Sequence, residues 1–162
     1  MTTNATTAED RLAKLGIHLP AVPTPFGAYV PAVQTGNLLF LSGMLATSGH
    51  AAAVAGVVGK DLDLNAGRKA AHTAALNALA LTRKQLGSLN RVSHVVRLGV
   101  YVAATPEFTD HAHVADAASE LLRDVFGEKT VSSRLVIGVA SLPLGSPVEL
   151  EVILEMQPCS NQ

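Results

Sequence analysis

The spacing of apolar residues changes period along the chain, and a helical period covers residues 61–86. Apolar residues recur there every three or four positions, as one buried helix face requires. Asp63 is a candidate N-cap, and Gly87 is a stop signal. The repeating positions are Leu64, Ala71, Ala74, Ala75, Ala78 and Leu79. The pattern predicts a long amphipathic helix.

Strand-like patterns lie on both sides of this helix. Residues 29–43 contain two short apolar runs around Thr35-Gly36-Asn37, which predicts a hairpin, and residues 51–59 are a weaker third candidate. Three further strands are predicted over residues 91–104, 134–140 and 148–155. A turn built from glycine and proline separates the last two.

Two more helices complete the prediction. One begins at Thr105-Pro106-Glu107, with the Thr105 hydroxyl as cap, and ends at Gly127. Its buried positions are Phe108, Ala112, Ala115, Leu122 and Phe126. A short helix begins at Thr7 and ends at Gly16.

The main elements follow the order βββαβαββ, which indicates an α+β fold with two long helices on one face of a sheet. The other face carries Val95, Gly99, Tyr101 and Ile153 on alternate positions. A second subunit is the simplest cover for that face, and a monomer with a partly solvated sheet is the alternative.

Composition supports burial in an assembly. Of 162 residues, 48% are hydrophobic and only 15% are charged. The net charge of −1 gives no basic footprint for nucleic acid. We expect one domain over residues 1–162, with flexible tails at residues 1–10 and 157–162. With no signal-peptide pattern and no apolar run of membrane-spanning length, a soluble, cytoplasmic protein is expected.

Few residues suggest metal or nucleophile chemistry. His111 and His113 are two positions apart on a predicted helix, so they point to different faces. His72 and His94 have no carboxylate or cysteine at ligand spacing. The single cysteine, Cys159, lies in the predicted tail. No metal or cofactor is expected, and no phosphate-binding or dinucleotide-binding motif is present.

Arg134 opens an apolar strand, where an isolated buried charge is costly. Its planar guanidinium suits a carboxylate ligand, but an internal pair with Glu149 or Glu151 is an equal alternative. Glu149, Glu151 and Glu155 are predicted to share one strand face. A solvated edge explains at least one of these three carboxylates better than catalysis does.

Three segments, GAYVPAVQTGNLLFLSG, SELLRDVFGE and SSRLVIGVASLPLGSPVELEVIL, resemble the Rid family of reactive intermediate deaminases, also called YjgF or L-PSP endoribonuclease-like proteins. The resemblance runs from about Leu12 to Glu155 and is closest to the branch with an A-Y-V-P-A-V segment. It implies a chorismate-mutase-like fold and a homotrimer. Three sheets would form a closed barrel-like core with a cleft at each subunit interface.

The resemblance also implies an activity, the hydrolysis of imines and enamines derived from amino acids without a cofactor. Arg134 matches the arginine that holds the substrate carboxylate, and Glu149 matches the residue that positions water or moves its proton. Tyr29 matches an aromatic residue that lines the cleft. Gly43 matches a glycine that lets backbone groups approach the ligand.

Two positions depart from the family pattern. Met44 stands where glutamine is usual, and Asp116 stands where asparagine is frequent. Methionine cannot donate a hydrogen bond and fills apolar gaps, so we expect the cleft to accept a bulkier, more apolar imino acid than 2-iminopropionate. Packing of Met44 in the core is the alternative.

Other functions are also compatible with the sequence. The combination of Arg134 and Glu149 favours an enzyme, an imine or enamine deaminase. A non-catalytic protein that binds small ligands would keep Arg134 as its anchor. A specialised pathway hydrolase acting on another C=N or C–N substrate is a further alternative. An RNA-acting protein lacks the electrostatic footprint it needs.

Overall fold

The computed structural model of the chain describes residues 6–25, 27–130 and 132–158. The elements, in chain order, are α1 (Ala8–Lys14), β1 (Ala32–Thr35), β2 (Leu38–Leu41), β3 (Met44–Leu45), β4 (Thr47–Ser48), β5 (Ala51–Ala52), α2 (Leu64–Leu86), β6 (Val92–Ala103), α3 (His111–Phe126), β7 (Ser133–Val139) and β8 (Val148–Met156). In this part of the chain, no helix has the length and apolar character needed to cross a membrane. Cys159 lies outside the described residues.

The main sheet has the order β1-β2-β8-β6-β7, and β3 pairs with β8 on the same edge as β2, closer to the start of β8. Strands β6 and β7 are parallel, because α3 returns the chain to the same end of the sheet before β7. The other pairs in this sheet are antiparallel. Strand β7 therefore forms one edge of a mixed sheet, and the predicted α+β class is confirmed.

Helices α2 and α3 cover one face of this sheet. As predicted, Asp63 caps α2, with its Oδ1 accepting from the Ala66 N–H at 2.8 Å. Gly87 ends the helix in the left-handed region, at φ 79°. Small side chains let α2 lie close to its neighbours, and four of them are essentially fully buried: Ala71, Ala74, Ala75 and Ala78.

The third helix begins later than predicted. Thr105 does not cap it, because the Thr105 N–H donates to the Val58 carbonyl at 3.0 Å and its own carbonyl accepts from Phe108. These bonds hold residues 105–108 in a turn, and α3 begins at His111 with Asp110 at the N-cap position. A long-range backbone contact thus overrides a strong local start signal.

A β-bulge changes which residues of β6 face the helices. The register slips between Val95 and Arg97, so Val96 is the extra residue. Val95 is therefore 3% exposed in the core, and its predicted place on the open face is wrong. Gly99 and Tyr101 do lie opposite the helices, in register with Glu151 and Glu149.

The face of the main sheet opposite the helices, called the open face below, is rich in apolar side chains. Val33, Phe40, Leu135 and Ile137 are between 37% and 53% exposed there. Cross-strand pairing joins Val33 to Phe40 and Phe40 to Ile153 in one row. The apolar second face expected from the sequence is thus confirmed on β1, β2, β7 and part of β8.

Residues 8–10, which fall within the predicted N-terminal tail, are helical. Thr7 and Asp10 form a reciprocal capping box at the start of α1. Glu9 bonds to the Arg83 guanidinium and accepts from the Leu89 N–H at 2.9 Å. Residues 8–10 thus belong to a helix anchored on the end of α2. The third predicted strand, by contrast, shrinks to the two residues of β5.

A buried amide fixes the segment that carries the site. Asn77 of α2 is 1% exposed, and its Nδ2 donates to the carbonyls of Leu45 and Thr47 at 3.0 and 3.1 Å. A buried amide must satisfy its hydrogen bonds, so these contacts specify one position for β3 and β4 above the helix.

Candidate functional site

Three carboxylates of β8 project from the open face, and their surroundings differ. Glu151 pairs with Arg97 at 3.2 Å, and Glu155 pairs with His94 at 3.1 Å. Among the described residues, no hydrogen bond or ion pair reaches the Glu149 carboxylate, although it is partly buried. A partly buried acid without a partner is a mark of a functional site.

Glu149 opens into a cavity of about 520 Å³, a size that suits a small ligand. Its described lining is mostly apolar and includes several prolines. The residues are Pro23, Thr24, Pro25, Tyr29, Pro31, Ser42, Gly43, Met44, Leu45, Thr47, Pro143, Leu144 and Glu149. The structure thereby brings together four of the predicted site residues: Tyr29, Gly43, Met44 and Glu149.

Gly43 makes room for the carboxylate. A Cβ atom added at this position would overlap Glu149 Oε1, so the carboxylate would have to leave its present position. The absence of a side chain therefore lets the acid lie directly over the backbone at the entrance to β3. The residue that Gly43 approaches is thus Glu149, the catalytic candidate of the same chain.

Burial raises the pKa of Glu149 above the ordinary value of a glutamate, because the apolar surroundings disfavour the charged form. A carboxyl group of this kind takes up and releases protons nearer to neutral pH than a solvated one does. It is therefore suited to act as a general base and then as a general acid in a single reaction.

We expect Glu149→Gln to stabilise the protein at pH 7 and to leave stability unchanged near pH 4. The folded state binds a proton at Glu149 more tightly than the unfolded chain does. Protonated Glu149 therefore contributes its full stabilisation at pH values below its pKa in the unfolded chain. This stabilisation is lost as the pH rises through its pKa in the folded protein. Thermal denaturation of wild type and variant at both pH values, at one protein concentration, measures the effect.

Glu151→Gln is the matched control, because it removes a carboxylate that is paired with Arg97. It should give no stabilisation at pH 7. An equal gain in both variants would show that general charge reduction on the open face, rather than burial of Glu149, is responsible.

Met44 has a different environment from Glu149. It is 6% exposed and lies opposite Leu150, which belongs to the core. The next residue, Leu45, pairs with Glu149, so the Leu45 side chain lies on the same face of the sheet as the Glu149 side chain. Met44 thus borders the cavity while most of its side chain packs inward, and its role in selectivity stays a prediction.

Arg134 is held by α3. Its Nη1 donates to Asp116 Oδ1 at 2.7 Å and to Ser119 Oγ at 3.1 Å. Both hydrogen bonds within the described chain leave from the same nitrogen, so the rest of the guanidinium is available to a carboxylate. Ser119 was not predicted, although it follows Asp116 by three residues and so shares its helix face.

Arg134 and Glu149 project from opposite faces of the sheet. Arg134 is in register with Leu98 and Val152, whose side chains are buried under the helices. Side chains alternate along a strand, so Glu149 and Glu151 point to the other side. The suggested internal pair of Arg134 with either glutamate is therefore wrong, and Asp116 is its partner.

The histidines are dispersed. His111 lies against Gly138 of β7 and contacts the Phe108 ring edge-on, with centroids 5.2 Å apart. His113 lies beside Asp110, on another side of α3. Within the described ranges, no three His, Cys, Asp or Glu side chains are arranged to hold a metal ion.

Two features define the class of protein. The first is a mixed sheet with two long helices on one face, and the second is a cavity at the start of β8. Residues 9–156 match the family described as YjgF/chorismate mutase-like, putative endoribonuclease. The chain belongs to this family, and the resemblance based on its sequence motifs is confirmed.

Individual relatives cover most of the chain. Protein TCP17 from Trypanosoma cruzi is 38% identical over 146 residues, which are 90% of this chain and 91% of that protein. A Dermatophagoides farinae protein named 2-iminobutanoate/2-iminopropanoate deaminase is 28% identical over 141 residues, 87% of this chain and 95% of its own. The crystal structure of Atu1372 from Agrobacterium tumefaciens has a TM-score of 0.83 at 38% identity, covering 93% of this chain and 92% of that one.

Proposed function

We propose that this protein hydrolyses imines and enamines derived from amino acids to a 2-keto acid and ammonia. The observation that carries the proposal is the Glu149 carboxylate, which lies in an apolar cavity without a partner among the described residues. A relative of 28% identity that is named as a deaminase of 2-imino acids supports the same chemistry.

Glu149 can supply both proton transfers. As a carboxylate it takes a proton from water while the water oxygen attacks the carbon of a protonated C=N bond, whose π electrons move to nitrogen. The resulting carbinolamine nitrogen receives that proton back from Glu149. The C–N bond then breaks as the hydroxyl group gives its proton to the Glu149 carboxylate, which leaves a carbonyl and ammonia. Ammonia takes this proton from Glu149 and departs as ammonium, so the carboxylate is regenerated. The balance requires one water molecule.

Arg134 is proposed to hold the substrate carboxylate through two parallel hydrogen bonds. Because Arg134 and Glu149 point to opposite faces in one protomer, a site that uses both requires two subunits. We propose a homotrimer in which the open faces pack together. Arg134, on the edge strand β7, then reaches the Glu149 cavity of the neighbouring protomer.

We expect light scattering to give the mass of a trimer at micromolar concentration. Leu135 and Ile137 of the open face are each 40% exposed, and burying them would stabilise an interface. Ile137→Glu should place a charge in that interface and release monomers. A monomeric wild-type protein would contradict both the assembly and the shared site.

The test of the reaction generates imino acids in place with an amino-acid oxidase and traps the imine that remains with semicarbazide. Wild-type protein should speed the loss of imine and the release of ammonia. Binding of 2-keto acids without any acceleration would instead favour a non-catalytic ligand-binding protein.

A further inference from the structure

The turn between β7 and β8 contains an unusual backbone conformation. Leu144 has φ 59° and ψ 12°, the left-handed region, and among the described residues it is the only non-glycine with positive φ. Leucine is disfavoured there because its Cβ approaches the backbone carbonyl oxygen. Glycine would adopt the same conformation without that strain, as it does at the next position, Gly145.

The surrounding turn is firmly held. The Gly56 N–H donates to the Gly145 carbonyl at 3.0 Å, and the Ser146 N–H donates to the Pro143 carbonyl at 3.1 Å. Ser146 is fully buried, and its Oγ donates to the Val148 carbonyl at 2.9 Å. These bonds fix the backbone of the turn that carries Leu144.

That side chain borders the Glu149 cavity and is 47% exposed. Burial in the core therefore does not explain an apolar residue in a strained conformation. Strain of this kind persists where the side chain serves a function. The nearby walls, Pro25, Pro143 and Leu45, are also apolar, so the region around Leu144 suits a hydrocarbon group.

We propose that Leu144 is a specificity residue that packs against the substrate side chain and selects imino acids with aliphatic or aromatic substituents. This proposal rests on the proposed deaminase function. It locates selectivity in the β7–β8 turn, whereas Met44 packs mainly toward the core.

The experiment compares imines made from alanine, leucine and phenylalanine, with kcat/KM measured for each. Wild type should prefer the two larger substrates. Leu144→Gly should lower the ratio of the leucine imine to the alanine imine about tenfold, through the loss of one apolar contact. Leu144→Asn should do the same, since asparagine tolerates left-handed backbone.

Further variants separate this role from a structural one. Leu144→Met keeps an apolar side chain and should keep the wild-type ranking. Leu15→Asn changes an equally exposed leucine outside the cavity and should change nothing. Leu144→Gly should also keep its thermal stability and its oligomer mass.

Each negative result has a distinct meaning. An active wild type whose substrate ranking is unchanged in Leu144→Gly would overturn this proposal alone. Loss of the oligomer in that variant would also overturn it, by making Leu144 an assembly contact. A wild type inactive on all three imines would instead remove the deaminase function, and the specificity role with it.

Discussion

Glu149→Gln is expected to slow imine hydrolysis by about 10²–10⁴-fold, the usual contribution of a positioned acid or base. The amide has nearly the same shape, so the cavity and the contact with Gly43 are retained. It cannot accept a proton from the attacking water. The loss should appear mainly in kcat, because the substrate carboxylate is held elsewhere.

Glu151→Gln provides the control on the same strand and the same face. Its carboxylate is already engaged by Arg97, so it is not available for proton transfer. We expect this variant to retain most of the wild-type rate. Equal losses in both variants would indicate that the open face needs its charges for assembly, and ammonia release measured beside light scattering would reveal this.

Arg134→Ala is expected to lower kcat/KM for 2-imino acids by about 10²-fold or more, since each hydrogen bond to a charged group contributes about 1.5–3 kcal/mol. Arg134→Lys should recover little of this, because an ammonium lacks the planar fork. Imines that carry no carboxylate should be affected much less. An equal loss for both substrate types would rule out a carboxylate clamp.

Arg68→Ala is the matched control for that experiment. Arg68 also binds a carboxylate of α3, Glu120, at 3.0 Å, and its side chain is similarly exposed, at 32% against 28% for Arg134. Arg68 does not line the Glu149 cavity, and its side chain bridges α2 and α3. Its replacement should leave kcat/KM within about twofold of wild type, as expected for a surface pair of small energetic weight.

Mixing the two inactive variants tests whether the site is shared. If Arg134 and Glu149 come from different protomers, co-refolded Arg134→Ala and Glu149→Gln chains should form some intact sites. Random assembly in a closed ring gives about one quarter of the wild-type activity. A site contained in one protomer would stay inactive in every mixture.

Much of the fold follows from local sequence. The helical period, Asp63 and Gly87 place α2 within three residues of its predicted bounds, because capping and periodicity act over a few residues. The start of α3 does not follow in this way. Thr105 has the residue types of a helix start, but a backbone bond to Val58, distant in sequence, holds it in a turn.

The sequence by itself determined that the chain carries an arginine at the start of one late strand and a glutamate near the start of the next, within motifs that resemble the Rid family. Only the tertiary structure decided which carboxylates are paired, and that Arg134 meets Asp116 instead of Glu149. The physical reason is register. Strand side chains alternate, so a bulge or a one-residue shift between distant segments moves a group to the other face, and no local pattern records that choice.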